Sequence, residues 1–150
     1  MMSKVERIQY AVSLHDEGFS CAQAMLASYG KQFGIEPEIG LKLGTAFLGG
    51  TAQDGRLCGA VTGALMIIGL KYGQIKSEDK QAREKTINLS KELMARFKSD
   101  NGTLLCKDLR GFDVSTPEGR EERDRRKKNG TMPDCYKFVR NAAETMEELL

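Results

Sequence analysis

The chain has no tryptophan, only three prolines and a single histidine, His15. That one histidine reads as a partly exposed polar residue near a helix end, so no serine–histidine–acid catalytic set is expected. No CxxC pair occurs, so neither a zinc ribbon nor a thioredoxin-type active site is present. No strand-borne GxGxxG and no GxxxxGK[ST] motif offers a phosphate cradle. Charge of one sign is also missing: 23 basic and 21 acidic side chains leave a net charge of +2, too balanced to indicate nucleic acid or an anionic membrane as partner. The longest apolar stretch, Leu57 to Leu70, would span roughly 21 Å as a helix, short of the ~30 Å hydrocarbon core of a bilayer. No membrane span is expected. The start, MMSKVERIQY, lacks the apolar run of a secretory signal, so a cytoplasmic, reducing location is expected. In such a location, the four cysteines of this chain point to reactive thiols or metal ligands more than to structural disulfides.

What the chain does contain is helix-forming sequence: Ala, Leu, Met, Glu and Lys dominate. Its 150 residues suit one helical domain covering 1–150. The expected fold is all-α, a compact multi-helix bundle around a central apolar helix at about residues 57–72. Val5, Ile8, Val12 and His15 fall at helical spacing over Lys4 to Glu17, with Gly18 as a left-handed stop. His15 near that helix end reads as a partly exposed polar residue. Ser20 and Gln23 form a capping-box pattern that starts a second helix, with Phe19 as staple. Ala22, Met25, Leu26, Tyr29 and Phe33 make its buried stripe, and Gly34 ends it. Pro37 opens a third helix at its first position, with Ile39, Leu43, Ala46 and Phe47 as its apolar face. Gly49-Gly50 breaks it.

The central helix follows, capped at Asp54 or just after it. Gly59 and Gly63 lie four apart on one face, where glycine allows close approach of another helix or of a ligand. Ser77-Glu78-Asp79 begins a fifth helix to about Lys98, with Ala82, Thr86, Leu89, Leu93 and Phe97 inward and Ile87 and Met94 widening the stripe. Thr103 to Cys106 is another capped start, with Cys106 as third helical residue and Gly111 as the end. Phe112 to Gly130 has few apolar residues and reads as a solvated loop or an exposed short helix. Cys135 opens the last helix, with Phe138, Val139, Ala142, Met146 and Leu149 buried.

The cysteines Cys21, Cys58, Cys106 and Cys135 are far apart in sequence, yet each falls in the first turn of an expected helix. There the unpaired N–H groups and the positive end of the helix dipole favour a thiolate over a free thiol that titrates near ~8.5. Arg56 before Cys58 and Lys107 after Cys106 add positive charge nearby. If these helix starts meet at one end of the bundle, the sulfurs form a cluster.

The same residues resemble a known family of small prokaryotic proteins, described as redox-active and defined by the pattern C_GCAxxG_C_C. Cys21 stands in GFSCAQAMLASYG, Cys58 in CGAVTG, Cys106 in LLCKDLRG and Cys135 in PDCYKFV. Gly49-Gly50 and the run Gly69 to Gly73 are similar too, and the likeness covers Gly18 to Leu150. The resemblance implies redox chemistry. The related split-Soret cytochromes imply that an iron–sulfur cluster can accompany such a domain. Their haem does not carry over, because CxxCH is absent.

Three functions follow. The first is thiol–disulfide exchange or electron transfer, in which case an enzyme would be a thiol-dependent oxidoreductase. Cys58 would be the nucleophile and Cys21 its resolving partner, with Cys106 and Cys135 as a second couple, although spacing leaves the connectivity open. A redox partner protein or a small thiol or disulfide would react with it. The second is a metal site in which Cys21, Cys58, Cys106 and Cys135 bind zinc or an iron–sulfur cluster. The third is a helical interaction module with inert cysteines, in which the Gly59/Gly63 face packs on a second copy of the chain as a homo-oligomer.

Overall fold

The computed structural model describes residues 1–150 as eight α-helices with no strand. They are α1 (Lys4–Asp16), α2 (Cys21–Tyr29), α3 (Pro37–Thr45), α4 (Gly59–Tyr72), α5 (Lys80–Asn101), α6 (Cys106–Arg110), α7 (Pro117–Asn129) and α8 (Tyr136–Leu149). A turn of 3-10 helix, Gly30–Phe33, follows α2. No helix is long and apolar enough to cross a membrane.

Local chemistry sets the helix starts. At α2 the Gln23 N–H donates to Ser20 Oγ at 3.3 Å, and the Ser20 N–H donates to Gln23 Oε1 at 2.9 Å. Ser3 and Glu6 build the same reciprocal cap on α1. Pro37 occupies the first turn of α3. Asp79 caps α5 through the Ala82 N–H, and that helix runs on to Asn101 before Gly102 turns it left-handed.

One cluster of 19 buried residues forms the core, drawn from α1, α2, α4, α5 and α8. Helices α2 and α4 share its middle. Every residue of α2 from Ala24 to Tyr29 is buried, and α4 buries Gly59 to Ala64 with Ile67 and Ile68. The two cross closely because α4 has no side chain at the contact. A Cβ on Gly63 would lie 2.5 Å from Met25 Cβ, a separation that real side chains do not tolerate. The Gly59/Gly63 face is therefore filled from within the chain, by α2, and is not available to a second copy.

Helix α3 packs on the other side of α2, and here the expected inward face is wrong. Ile39 and Leu43 are 46% and 50% exposed, while Gly40 and Gly44 are buried. A Cβ on Gly44 would meet the Gln23 backbone at 2.7 Å. Close backbone approach outweighs apolar area at this contact, aided by Gln23 Nε2 donating to Leu41 O and to Thr45 Oγ1.

In α5 only Leu93 and Phe97 are fully buried, and Ile87 is exposed because the N-terminal half of the helix overhangs the core. A buried ion pair joins α1 to α8: Arg7 Nε donates to Glu147 Oε1 at 2.8 Å, with side chains only 13% and 7% exposed.

The charged stretch after Phe112 is a full helix, α7. Thr116 caps it through the Gly119 N–H, Pro117 begins it, and Gly130 ends it at positive φ. With no apolar stripe of its own, α7 is held at its ends. Phe112 and Val114 anchor the preceding turn in the interior, and Arg126 donates to the Arg110 carbonyl at 3.3 Å.

Candidate active site

The four cysteines stand at the very starts of four helices. Cys21 is the first residue of α2 and Cys106 the first of α6, while Cys58 and Cys135 are the N-caps of α4 and α8. Cys106 thus enters its helix two residues earlier than its sequence suggested. Thr103 does not cap that helix. Its Oγ1 accepts from the Leu105 N–H at 3.1 Å, and Leu105 instead forms a single antiparallel bridge with Leu57. Around that bridge the Cys58 N–H donates to Leu104 O at 2.8 Å and the Cys106 N–H to Arg56 O at 2.6 Å. Two cysteines distant in sequence are brought together in this way.

A second device presses from the side. Gly49, Gly50, Thr51, Ala52 and Gln53 have consecutive positive φ values of 64°, 77°, 63°, 49° and 61°. Left-handed backbone costs a non-glycine residue roughly 1–2 kcal/mol. Long-loop hydrogen bonds hold the turn, among them Arg56 N–H to Gly50 O at 2.9 Å and Gly55 N–H to Gly49 O at 3.0 Å. Gly50 is packed so tightly that an added Cβ would lie 2.6 Å from Cys106 Cβ. Asp54 caps nothing here; it pairs with Arg56.

All four cysteines line one cavity of about 310 Å³, and all four are free thiols. Phe47, Leu48, Leu109, Met132 and Phe138 give it apolar walls. Its charged and titratable neighbours are His15, Arg110 and Lys127, and no carboxylate lines it. Arg56 and Lys107, expected to supply positive charge, do not reach it. The Arg56 side chain is 74% exposed on Asp54, and Lys107 lies against Gly55. Arg110 had a sequence signal: it is four residues after Cys106, on the same face of a helix. Lys127 had none, because α7 carries no apolar period. His15 is partly exposed, as expected, but it stands in the cavity wall, and burial holds its pKa below the usual imidazole value.

The sulfurs are not equivalent. The Cys21 thiol beside Cys58 stabilises the Cys58 thiolate and lowers its pKa, against the opposing effect of burial. Cys58 accepts no close capping hydrogen bond, but the Ala60 and Val61 N–H groups at the start of α4 lower it further. Cys21, the donor of the pair, is pushed well up by the Cys58 sulfur and by burial. Burial raises Cys106, with Arg110 opposing. Burial also raises Cys135, to about 11, again against Arg110. One sulfur with a lowered pKa and three with raised ones face the same space. Cys58 is 3% exposed, so these neighbours set its pKa.

Gly59 borders the cavity, and its missing Cβ leaves room for Cys21, whose Cβ would otherwise be 3.3 Å away. Gly63 lies one turn deeper, against Met25, outside the cavity wall. The donor set suits a soft metal. As arranged, no three Cys, His, Asp or Glu side chains converge closely enough to hold a single metal ion.

A family model described as "Putative redox-active protein (C_GCAxxG_C_C)" matches residues 19–149. Neither a curated protein nor a solved structure gives a match.

Proposed function

The chain belongs to this C_GCAxxG_C_C family, and from that premise we propose that it is a thiol–disulfide redox protein whose working couple is Cys58 and Cys21. The observation that carries the reading is the paired polarity of these two sulfurs in a shared cavity: one stabilised as thiolate, the other retained as its protonated donor.

The Cys58 thiolate attacks one sulfur of a substrate disulfide. A Cys58–substrate S–S bond forms, the substrate S–S bond breaks, and half the substrate leaves as a thiolate. Cys21 then loses its proton to that leaving thiolate or to water. Its sulfur attacks Cys58 Sγ, forming the Cys21–Cys58 disulfide and releasing the second half as thiolate. The protein dithiol gives up two electrons and the substrate becomes two thiols. The steps are ordered by electrostatics. Cys21 is held protonated first by the Cys58 sulfur, and that restraint is lifted once Cys58 is bonded to substrate. Cys106 and Cys135 are the second couple, facing the same cavity and able to take over the disulfide by exchange. The partner that is reduced is a redox protein or a small disulfide.

The test is single-turnover reduction of hydroxyethyl disulfide by the reduced protein, with thiol release counted per chain. Wild type releases both halves of the substrate. Cys58→Ala releases none, and Cys21→Ala stops at a mixed disulfide that mass spectrometry finds on Cys58. Unchanged turnover by Cys58→Ala overturns the reading. So does anaerobically purified protein that carries stoichiometric iron or zinc and has no alkylatable thiols.

A further inference from the structure

The cysteine cavity has a charge asymmetry that disulfide exchange alone does not use. Arg110 and Lys127 line it, and no acidic residue does. Arg110 makes no ion pair with any carboxylate. Its Nε is fully buried and has no hydrogen-bond partner. A buried guanidinium N–H without an acceptor is costly, and such groups are almost always satisfied. The nearby carboxylates are engaged elsewhere: Glu122 with Arg125 and Arg126, Asp113 with Ser115, and Asp108 with Thr103. Arg110 is also pinned, with its guanidinium carbon 4.6 Å from the Phe112 ring centroid and its carbonyl held by Arg126. It is a fixed cation next to the sulfurs, touching Cys106, with its buried Nε left without an acceptor in the protein. Cys106 and Cys135 do not serve as its counter-anions, since burial keeps both above the ordinary thiol range despite it.

We infer that the cavity binds a small anion through Arg110, with Lys127 as a second cation at the wall, and that the substrate class is a low-molecular-weight disulfide carrying a carboxylate near its sulfur. The space suits this. A cavity of about 310 Å³ is at the small-ligand end of binding clefts, and Arg matches a carboxylate through two parallel N–H···O bonds. The choice of disulfide as the reacting group rests on the thiol-exchange reading above; the anion site does not.

Three aliphatic disulfides of similar size separate the possibilities: dithiodipropionate, a dianion; hydroxyethyl disulfide, neutral; and cystamine, a dication. Each rate is normalised to the same disulfide's reaction with mercaptoethanol. The reduced protein is expected to favour the dianion over the neutral compound about ten-fold, the worth of one charge-assisted hydrogen bond, with cystamine slowest. Arg110→Gln brings the three rates together, and Arg110→Lys restores part of the preference. Lys91→Gln, which removes an exposed cation on α5, leaves the preference intact. Added salt lowers it in wild type without any variant. Calorimetry with thiodipropionate, the unreactive thioether, reads the anion site alone and shows binding that Arg110→Gln abolishes. Equal normalised rates for dianion and neutral compound, or a preference that survives Arg110→Gln, overturn the inference. Thioether binding without any disulfide reduction keeps the anion site and removes the thiol-exchange reading. Reduction without charge preference does the reverse.

Discussion

Gly50→Ala is the substitution that most sharply tests how the cavity is built. Two effects combine at this position. The φ of 77° is left-handed, which costs an alanine roughly 1–2 kcal/mol. The new Cβ would also sit 2.6 Å from Cys106 Cβ and 2.7 Å from the Arg56 backbone nitrogen, and forced packing of this kind costs about 1–3 kcal/mol. Gly130→Ala is the control. It has a similar φ of 69° and nothing within 4 Å of its added Cβ, so it carries the conformational cost without the contact. Effects of the substitution on the unfolded chain are shared and cancel in the comparison. Urea denaturation should show Gly50→Ala less stable than Gly130→Ala by about 1–3 kcal/mol, or several degrees in Tm at roughly 2–4 °C per kcal/mol for a chain of this size. Cys106 and Cys58 should also alkylate faster in Gly50→Ala alone, because the Cys106 N–H to Arg56 O hydrogen bond must shift to admit the methyl group. Equal stabilities for the two variants, with unchanged alkylation, would refute the idea that the left-handed turn presses on the cysteine site.

Other consequences are measurable. Gly63→Ala should destabilise by about 1–2 kcal/mol, since overpacking against Met25 outweighs the ~1 kcal/mol gained in helix propensity; adding Met25→Ala in a double-mutant cycle should show strong coupling. Arg7→Met strands Glu147, which is 7% exposed, and should cost about 3–5 kcal/mol by thermal melting, most of it recovered when Glu147→Leu removes the orphaned charge. Burial pushes Cys135 up to about 11 in the folded chain, well above a free thiol at ~8.5. The native state therefore holds its proton where the unfolded state has lost it, and stability should fall as pH rises from 9 toward 11, by an amount on the order of 3 kcal/mol; the slope should shrink in Cys135→Ala. Cys21→Ala removes the main donor to Cys58, so iodoacetamide labelling of Cys58 at neutral pH should slow.

Features carried by local chemistry were readable from the residues. Ser20 and Gln23 specify a reciprocal cap, Pro37 a first turn, and Gly18, Gly34 and Gly111 left-handed ends. Because each cysteine adjoins such a start, their shared place at helix N-termini was readable too. Three features were not. Thr51, Ala52 and Gln53 have no sequence preference for left-handed backbone, and their conformation is imposed by hydrogen bonds back to residues 46–50. The inward face of α3 was misjudged because Ile39 and Leu43 carry the apolar area, whereas Gly40 and Gly44 permit the closer contact with α2. Arg56 and Lys107 adjoin cysteines in sequence but not in the cavity. The bridge between Leu57 and Leu105 turns those side chains outward, and a helix turn later Arg110 points in.

The most direct measurement is peptide mass mapping of the protein equilibrated in glutathione redox buffers of increasing oxidation. The proposed couple predicts that a Cys21–Cys58 disulfide forms first and reverts fully on reduction. Four thiols that stay free across the series, or a first cross-link that leaves Cys58 unpaired, would contradict it.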